Sequence, residues 1–147
     1  MYKRQPLDRL HSSYNYLTSG GGNEVDRLFG QILKESTKSF EDFVLNWLTT
    51  ERLNSWVHFV PQHQYIYLKD GECGVDFIGK FENIDSDFNK LKEQINIEVN
   101  LPHNNKNHLS KDKKYKKEVI DKVRSLYSDD YRSVSYTHLT LPTNREV

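Results

Sequence analysis

Pro6-Leu7-Asp8-Arg9-Leu10-His11-Ser12-Ser13-Tyr14 is the stretch on which the reading of this chain turns. Leu7, Leu10, Tyr14 and Leu17 share one stripe at helical spacing, which predicts an amphipathic helix from residue 7 to 17. Arg9 and Ser12 lie three apart and therefore on the same face. Close to a helix N-terminus, a guanidinium, hydroxyls and the backbone dipole can together hold a phosphate. The same residues equally suit a surface arginine and two ordinary helix-start serines. Grips of this kind normally follow a buried strand, and only five residues come before this one.

The 147-residue chain is long enough to bury a real core as one domain. Two Trp, nine Tyr and seven Phe argue against disorder. Formal net charge is zero, which gives no global basic field for nucleic acid. One cysteine, Cys73, excludes an intrachain disulfide and a cysteine-rich zinc site. The chain shows no signal peptide and no apolar run near the roughly 20 residues of a membrane span, so a soluble, cytoplasmic α/β or α+β domain is expected.

Beyond the first helix, Ser19-Gly20-Gly21-Gly22-Asn23 is a break. Val25 to Leu33 predicts a short helix. Ser39 followed by Glu41 and Asp42 reads as an N-cap with an acidic first turn, leading a helix through Leu48. Residues 51–64 form a long connection rich in aromatics and histidine. Tyr65 to Leu68 and Val75 to Phe81 are expected as strands around the turn Lys69-Asp70-Gly71-Glu72. Ile84 to Ile95 predicts an amphipathic helix, and residues 101–106 a loop. A last helix from about Lys113 to Tyr127 should bury Val119, Ile120, Val123, Leu126 and Tyr127.

The two ends differ in character from the rest. Tyr2-Lys3-Arg4-Gln5 can be written TAT AAG AGA CAG, and the reverse complement of that string encodes, in another frame, the end of Ser133, Val134, Ser135, Tyr136 and the first base of Thr137. Both ends resemble translated transposon-type sequencing adaptors, a resemblance that Leu139 to Thr143 continues. Residues 1–5 and 133–147 are therefore set apart as adaptor-like, are expected to pack poorly, and leave 6–132 as the biological segment. Setting them aside removes Lys3, Arg4, Arg145 and Glu146 and leaves the charge slightly negative.

The remaining reactive residue types admit two uses each. His58 and His63 lack partners at metal-ligand spacing, so no metal site is expected. His103 sits in a Pro-Asn loop where polar side chains often satisfy the turn backbone. Lys111, Lys113, Lys114, Lys116 and Lys117 could attract a phosphate or sulfated glycan, or form the solvated face of a helix start. Cys73 has no histidine paired with it in sequence.

Taken in order, these segments resemble the carbohydrate sulfotransferase family, whose members use 3′-phosphoadenosine-5′-phosphosulfate (PAPS). That family carries R-[ND]-P-x-x-R-L-x-S-x-Y after a buried strand, and residues 6–14 match from the proline onward. Ser39 to Val44, Pro61-Gln62, Asp76 to Asn83, Leu101-Pro102-His103 with Asn105, and Leu126 to Tyr131 continue the match. The resemblance implies an α/β fold in which a parallel sheet is flanked by helices. The chain would hold the C-terminal part of a P-loop-like domain, incomplete by itself.

It also implies roles. Ser12, with Arg9 beside it, would bind the cofactor's 3′-phosphate. The usual arginine partner lies eight residues earlier, where Arg4 stands within the adaptor-like segment. Lys80 and Phe81 correspond to the strand that approaches the adenine, and Asn105 and Lys106 to a loop closing over the nucleotide. The family's lysine-bearing phosphosulfate loop and its catalytic base have no counterpart in these residues, so no catalytic residue is assigned. The expected partners are the nucleotide and a glycan or other hydroxyl acceptor. The alternative is a non-catalytic nucleotide- or glycan-binding module.

Overall fold

The computed structural model describes residues 1–101 and 114–135. Helix α1 covers Pro6–Thr18 and buries Leu10, Tyr14 and Leu17, the stripe its periodicity marks out. The glycine run then turns the chain. Gly20 and Gly21 have φ of 114° and 63°, a region that favours residues without a Cβ. Asn23 caps α2 (Glu24–Ser36) by accepting the Asp26 N–H at 2.8 Å. Gly30, in mid-helix, lies against the Leu17 carbonyl, and that contact sets how closely α1 and α2 pack.

Ser39 caps the short α3 (Phe40–Asp42), accepting the Asp42 N–H at 3.1 Å. The helix then widens into a π turn over Phe43–Trp47, where the Leu48 N–H reaches back five residues to the Phe43 carbonyl. Phe43, Val44 and Leu48 are thereby fully buried. They meet Leu10, Leu33 and Phe59, and from the far end of the chain Val119 and Val123 of α5 (Lys117–Leu126) and Tyr127 beyond it. Each such side chain contributes about 1.5–3 kcal/mol on burial. Ile120 and Leu126 are only half-buried. Helix α6 (Ser128–Ser135) follows after one residue.

The sheet layer is small. Strand β1 (Tyr2–Lys3) pairs in parallel with β2 (Gly79–Lys80), Tyr2 opposite Gly79 and Lys3 opposite Lys80. The Met1 carbonyl accepts the Gly79 N–H at 2.8 Å, and the Met1 ammonium donates to the Phe77 carbonyl at 2.6 Å. The first residues are thus engaged rather than loosely placed. Residues 136–147 and the 102–113 segment, with His103, Lys111 and Lys113, lie outside the described residues.

The strands expected at 65–68 and 75–81 shrink to Gly79–Lys80 and one antiparallel bridge, Tyr67 with Cys73. The intervening turn closes on itself, Leu68 N–H to Glu72 O and Gly74 N–H to Ile66 O, while Gln62–Tyr65 is a 3-10 turn. Leu68 and Tyr65 stay exposed because no neighbouring strand offers them a face. Helix α4 (Ile84–Ile95) has the expected bounds and ends at Asn96 in the left-handed region. The result is a helix-rich mixed fold with a two-stranded parallel sheet, consistent with an incomplete α/β architecture.

The α1–α2 crossing is open to test. A Gly30→Ala methyl would overlap backbone rather than a movable side-chain end. We expect a loss of about 1–3 kcal/mol by denaturant unfolding. Gly20→Ala, with open space around it, should cost only its backbone strain.

Candidate functional site

Asp130 of α6 is 2% exposed and organises the loop that faces α1. Its carboxylate accepts the amides of Gln62 and His63, each at 2.7 Å, and the His63 Nδ1–H at 2.9 Å. The Arg9 guanidinium stands 3.9 Å away. A buried carboxylate is tolerated because so many donors converge on it. Nearby, Tyr127 donates its hydroxyl to the Phe59 carbonyl at 2.7 Å, and burial pushes that phenol's pKa well above its ordinary value.

Arg9 fastens the same loop. Its Nη1 and Nη2 donate to the carbonyls of His58 (3.1 Å) and Val60 (2.9 Å), and its guanidinium lies 5.5 Å from the Tyr127 ring. Its Nε is buried with no partner among the described residues. His58 is held in turn by Asp26, Nε2 to Oδ1 at 3.2 Å, where Tyr16 and Asn23 also donate. Both histidines of the 58–63 loop thus rest on buried carboxylates. Among the described residues no group of three or more acidic, histidine or cysteine side chains could hold a metal.

Ser12 is the seventh residue of α1, not at its start. At 1.5 Å per residue it lies about 9 Å along the axis from Pro6, so its own amide belongs to the helix ladder. The hydroxyl is part-exposed and has no partner among the described residues. Just ahead of the helix, Gln5 N–H is taken by Glu82 at 3.0 Å and Arg4 N–H by the Gln62 side chain at 3.3 Å. An anion at the Ser12 hydroxyl would therefore sit along the side of the helix rather than over its first-turn amides.

Lys80 ends β2 beside the helix entrance, and Phe81 opens the 3-10 turn that follows it. The Arg4 guanidinium lies 4.8 Å from the Phe81 ring, which is 46% exposed, and the Lys80 amide donates to Asp87 at 2.8 Å. The parallel pairing brings Lys80 and Phe81 to the Arg4 end of α1, with Ser12 almost two turns further along. Asn105 and Lys106 lie outside the described residues. Lys114, Lys116 and Lys117 are exposed, and Lys116 pairs with Glu41 at 2.8 Å. Sequence reasoning passed over Asp130 and Gln62 as individual residues, although both sit in quoted motifs; a buried acid 68 residues from its partner leaves no local signal.

A parallel strand leading into a helix with basic and hydroxyl side chains, beside a second strand that ends in a lysine and is followed by an exposed aromatic ring, is a layout of phosphate-handling α/β proteins. The comparison with families is more definite: a model described as "Sulfotransferase family" matches residues 2–137. The chain belongs to that sulfotransferase family. No curated protein and no solved structure was found to match it. Membership makes the protein a transferase of sulfuryl groups, with a donor and an acceptor to bind.

The Asp130 hub yields a clear expectation. Asp130→Ala leaves the buried Gln62 amide and the part-buried His63 amide unpaired, and we expect a stability loss of about 3 kcal/mol or more by urea titration. Arg52→Ala, an exposed pair with the Trp47 carbonyl and ring, should cost well under 1 kcal/mol.

Proposed function

We propose that the protein is a PAPS-dependent sulfotransferase acting on a hydroxyl, with a carbohydrate as acceptor. The family match over residues 2–137 carries this reading. Residues 6–132 would be the C-terminal part of the domain, with 1–5 and 133–147 adaptor-like. PAPS would supply an activated sulfuryl group on a phosphosulfate anhydride.

The residues on hand suit such a nucleotide. Ser12 offers a hydroxyl with no other partner among the described residues, and Arg4 and Lys80 bring positive charge to one shoulder. Phe81 presents an exposed ring of the kind that receives a base. Arg9 acts through position and charge, since its two terminal donors hold the 58–60 carbonyls. Asn105 and Lys106 would close over the nucleotide. No helix among the described residues is long and apolar enough to cross a membrane. The unpaired Cys73 suits a reducing, cytoplasmic setting.

Titration calorimetry with 3′-phosphoadenosine 5′-phosphate, against the same nucleotide without its 3′-phosphate, tests this. The 3′-phosphorylated form should bind more tightly, and Ser12→Ala should weaken it about 10–100-fold while leaving the other unchanged. Equal affinity for the two nucleotides would sink the assignment. With labelled PAPS and mixed glycan acceptors, the 147-residue chain should bind without measurable turnover. Loss of a charge clamp typically costs a transferase ~10²–10³-fold in rate and loss of its general base ~10²–10⁴-fold. Turnover would overturn that expectation.

A further inference from the structure

Lys3 is the anomaly of the structure. It ends β1, it is 3% exposed, and its Nζ has no hydrogen-bond partner among the described residues. The Tyr67 ring, 5.6 Å from Nζ to centroid, is what it faces in place of an acceptor. An ammonium there gives up its hydration and recovers no hydrogen bond. The strand that carries it is two residues long, held to β2 by a ladder that includes Gly79 N–H to Met1 O. Holding charge at that position therefore competes directly with a weak pairing.

The charged groups around Nζ leave the balance unfavourable. Asp130 of α6 and Cys73 of the 67–73 turn favour the ammonium, but burial outweighs them and lowers the amine's pKa. Asp130 is already shared by two amides, His63 and Arg9. Across the register stands Lys80, a second ammonium-bearing residue.

We propose that β1 is a pH-operated strap, seated on β2 when Lys3 Nζ is neutral and lifted from it when Nζ is protonated. Because folding lowers this amine's proton affinity, the unfolded chain binds the extra proton, and stability rises with pH until the ordinary lysine value of 10.5 is passed. The strap leads directly into Arg4, whose guanidinium lies 4.8 Å from the Phe81 ring and whose amide donates to the Gln62 side chain. Lifting it loosens the shoulder that carries Lys80 and Phe81. The inference concerns the 147-residue chain as it stands: it rests on the burial of Lys3 and its lack of an acceptor among the described residues, and is independent of both the sulfotransferase assignment and the adaptor-like character proposed for residues 1–5.

The test compares Cys73→Ser with Cys73→Ser/Lys3→Met, both as the full chain, between pH 7 and 10.5 at constant ionic strength. The thiol is then absent from both, and the Met1 amine, Lys80, the tyrosines and Asp130 are common to both. At pH 7 the Lys3→Met protein should melt about 3 °C or more above its parent, and the gap should close as pH rises. The exchange protection factor of the Gly79 amide should climb with pH in the parent alone. A gap that stays constant with pH, or a Lys3→Met protein less stable at pH 7, overturns the proposal. So would inorganic phosphate raising the parent's midpoint at pH 7 without affecting Lys3→Met, since Nζ would then be an anion ligand.

Discussion

The carboxylate of Asp130 ties together parts of the chain that have no other reason to meet. It takes the amides of Gln62 and His63 and the His63 ring, with Arg9 of α1 alongside. The 58–65 connection has little regular structure to satisfy its own backbone. Buried polar groups in such a segment must find side-chain partners, and Asp130 and Arg9 supply them together, one accepting amides and the other donating to carbonyls. The Tyr127 hydroxyl on the Phe59 carbonyl completes the fastening. With the connection pinned, Phe59 can sit at the centre of the aromatic core against Phe43 and Trp47.

This arrangement changes how the arginine of the opening motif is understood. A guanidinium three residues before a serine invites assignment to a phosphate. In the folded protein Arg9 is a strut whose terminal donors hold main-chain carbonyls, while the serine keeps its hydroxyl unpartnered among the described residues. Positive charge beside the start of the helix comes instead from Arg4, just after β1, and from Lys80 at the end of β2.

Much of the helical part was legible in the sequence because its causes are local. The α1 stripe, the glycine turn, the Ser39 cap and the bounds of α4 each follow from residues three or four apart and from backbone preference. The strands failed for the complementary reason. Tyr65 to Leu68 has strand composition, but a strand exists only where a partner ladder is available, and the turn at 68–74 satisfied its amides internally. Tyr2-Lys3, by contrast, carries no strand signal and pairs with residues 77 positions away.

What the sequence determined by itself was the family, through an ordered series of short motifs, and the helices, through periodicity and caps. Tertiary structure alone decided that Arg9 braces a loop, that Asp130 is the hub of that loop, and that a lysine is enclosed on β1. Each of those outcomes depends on which distant group arrives within about 3 Å, or fails to arrive. Spacing along the chain fixes neighbours on one helix face; it carries no measure of how the far end of the chain will fold back to meet them.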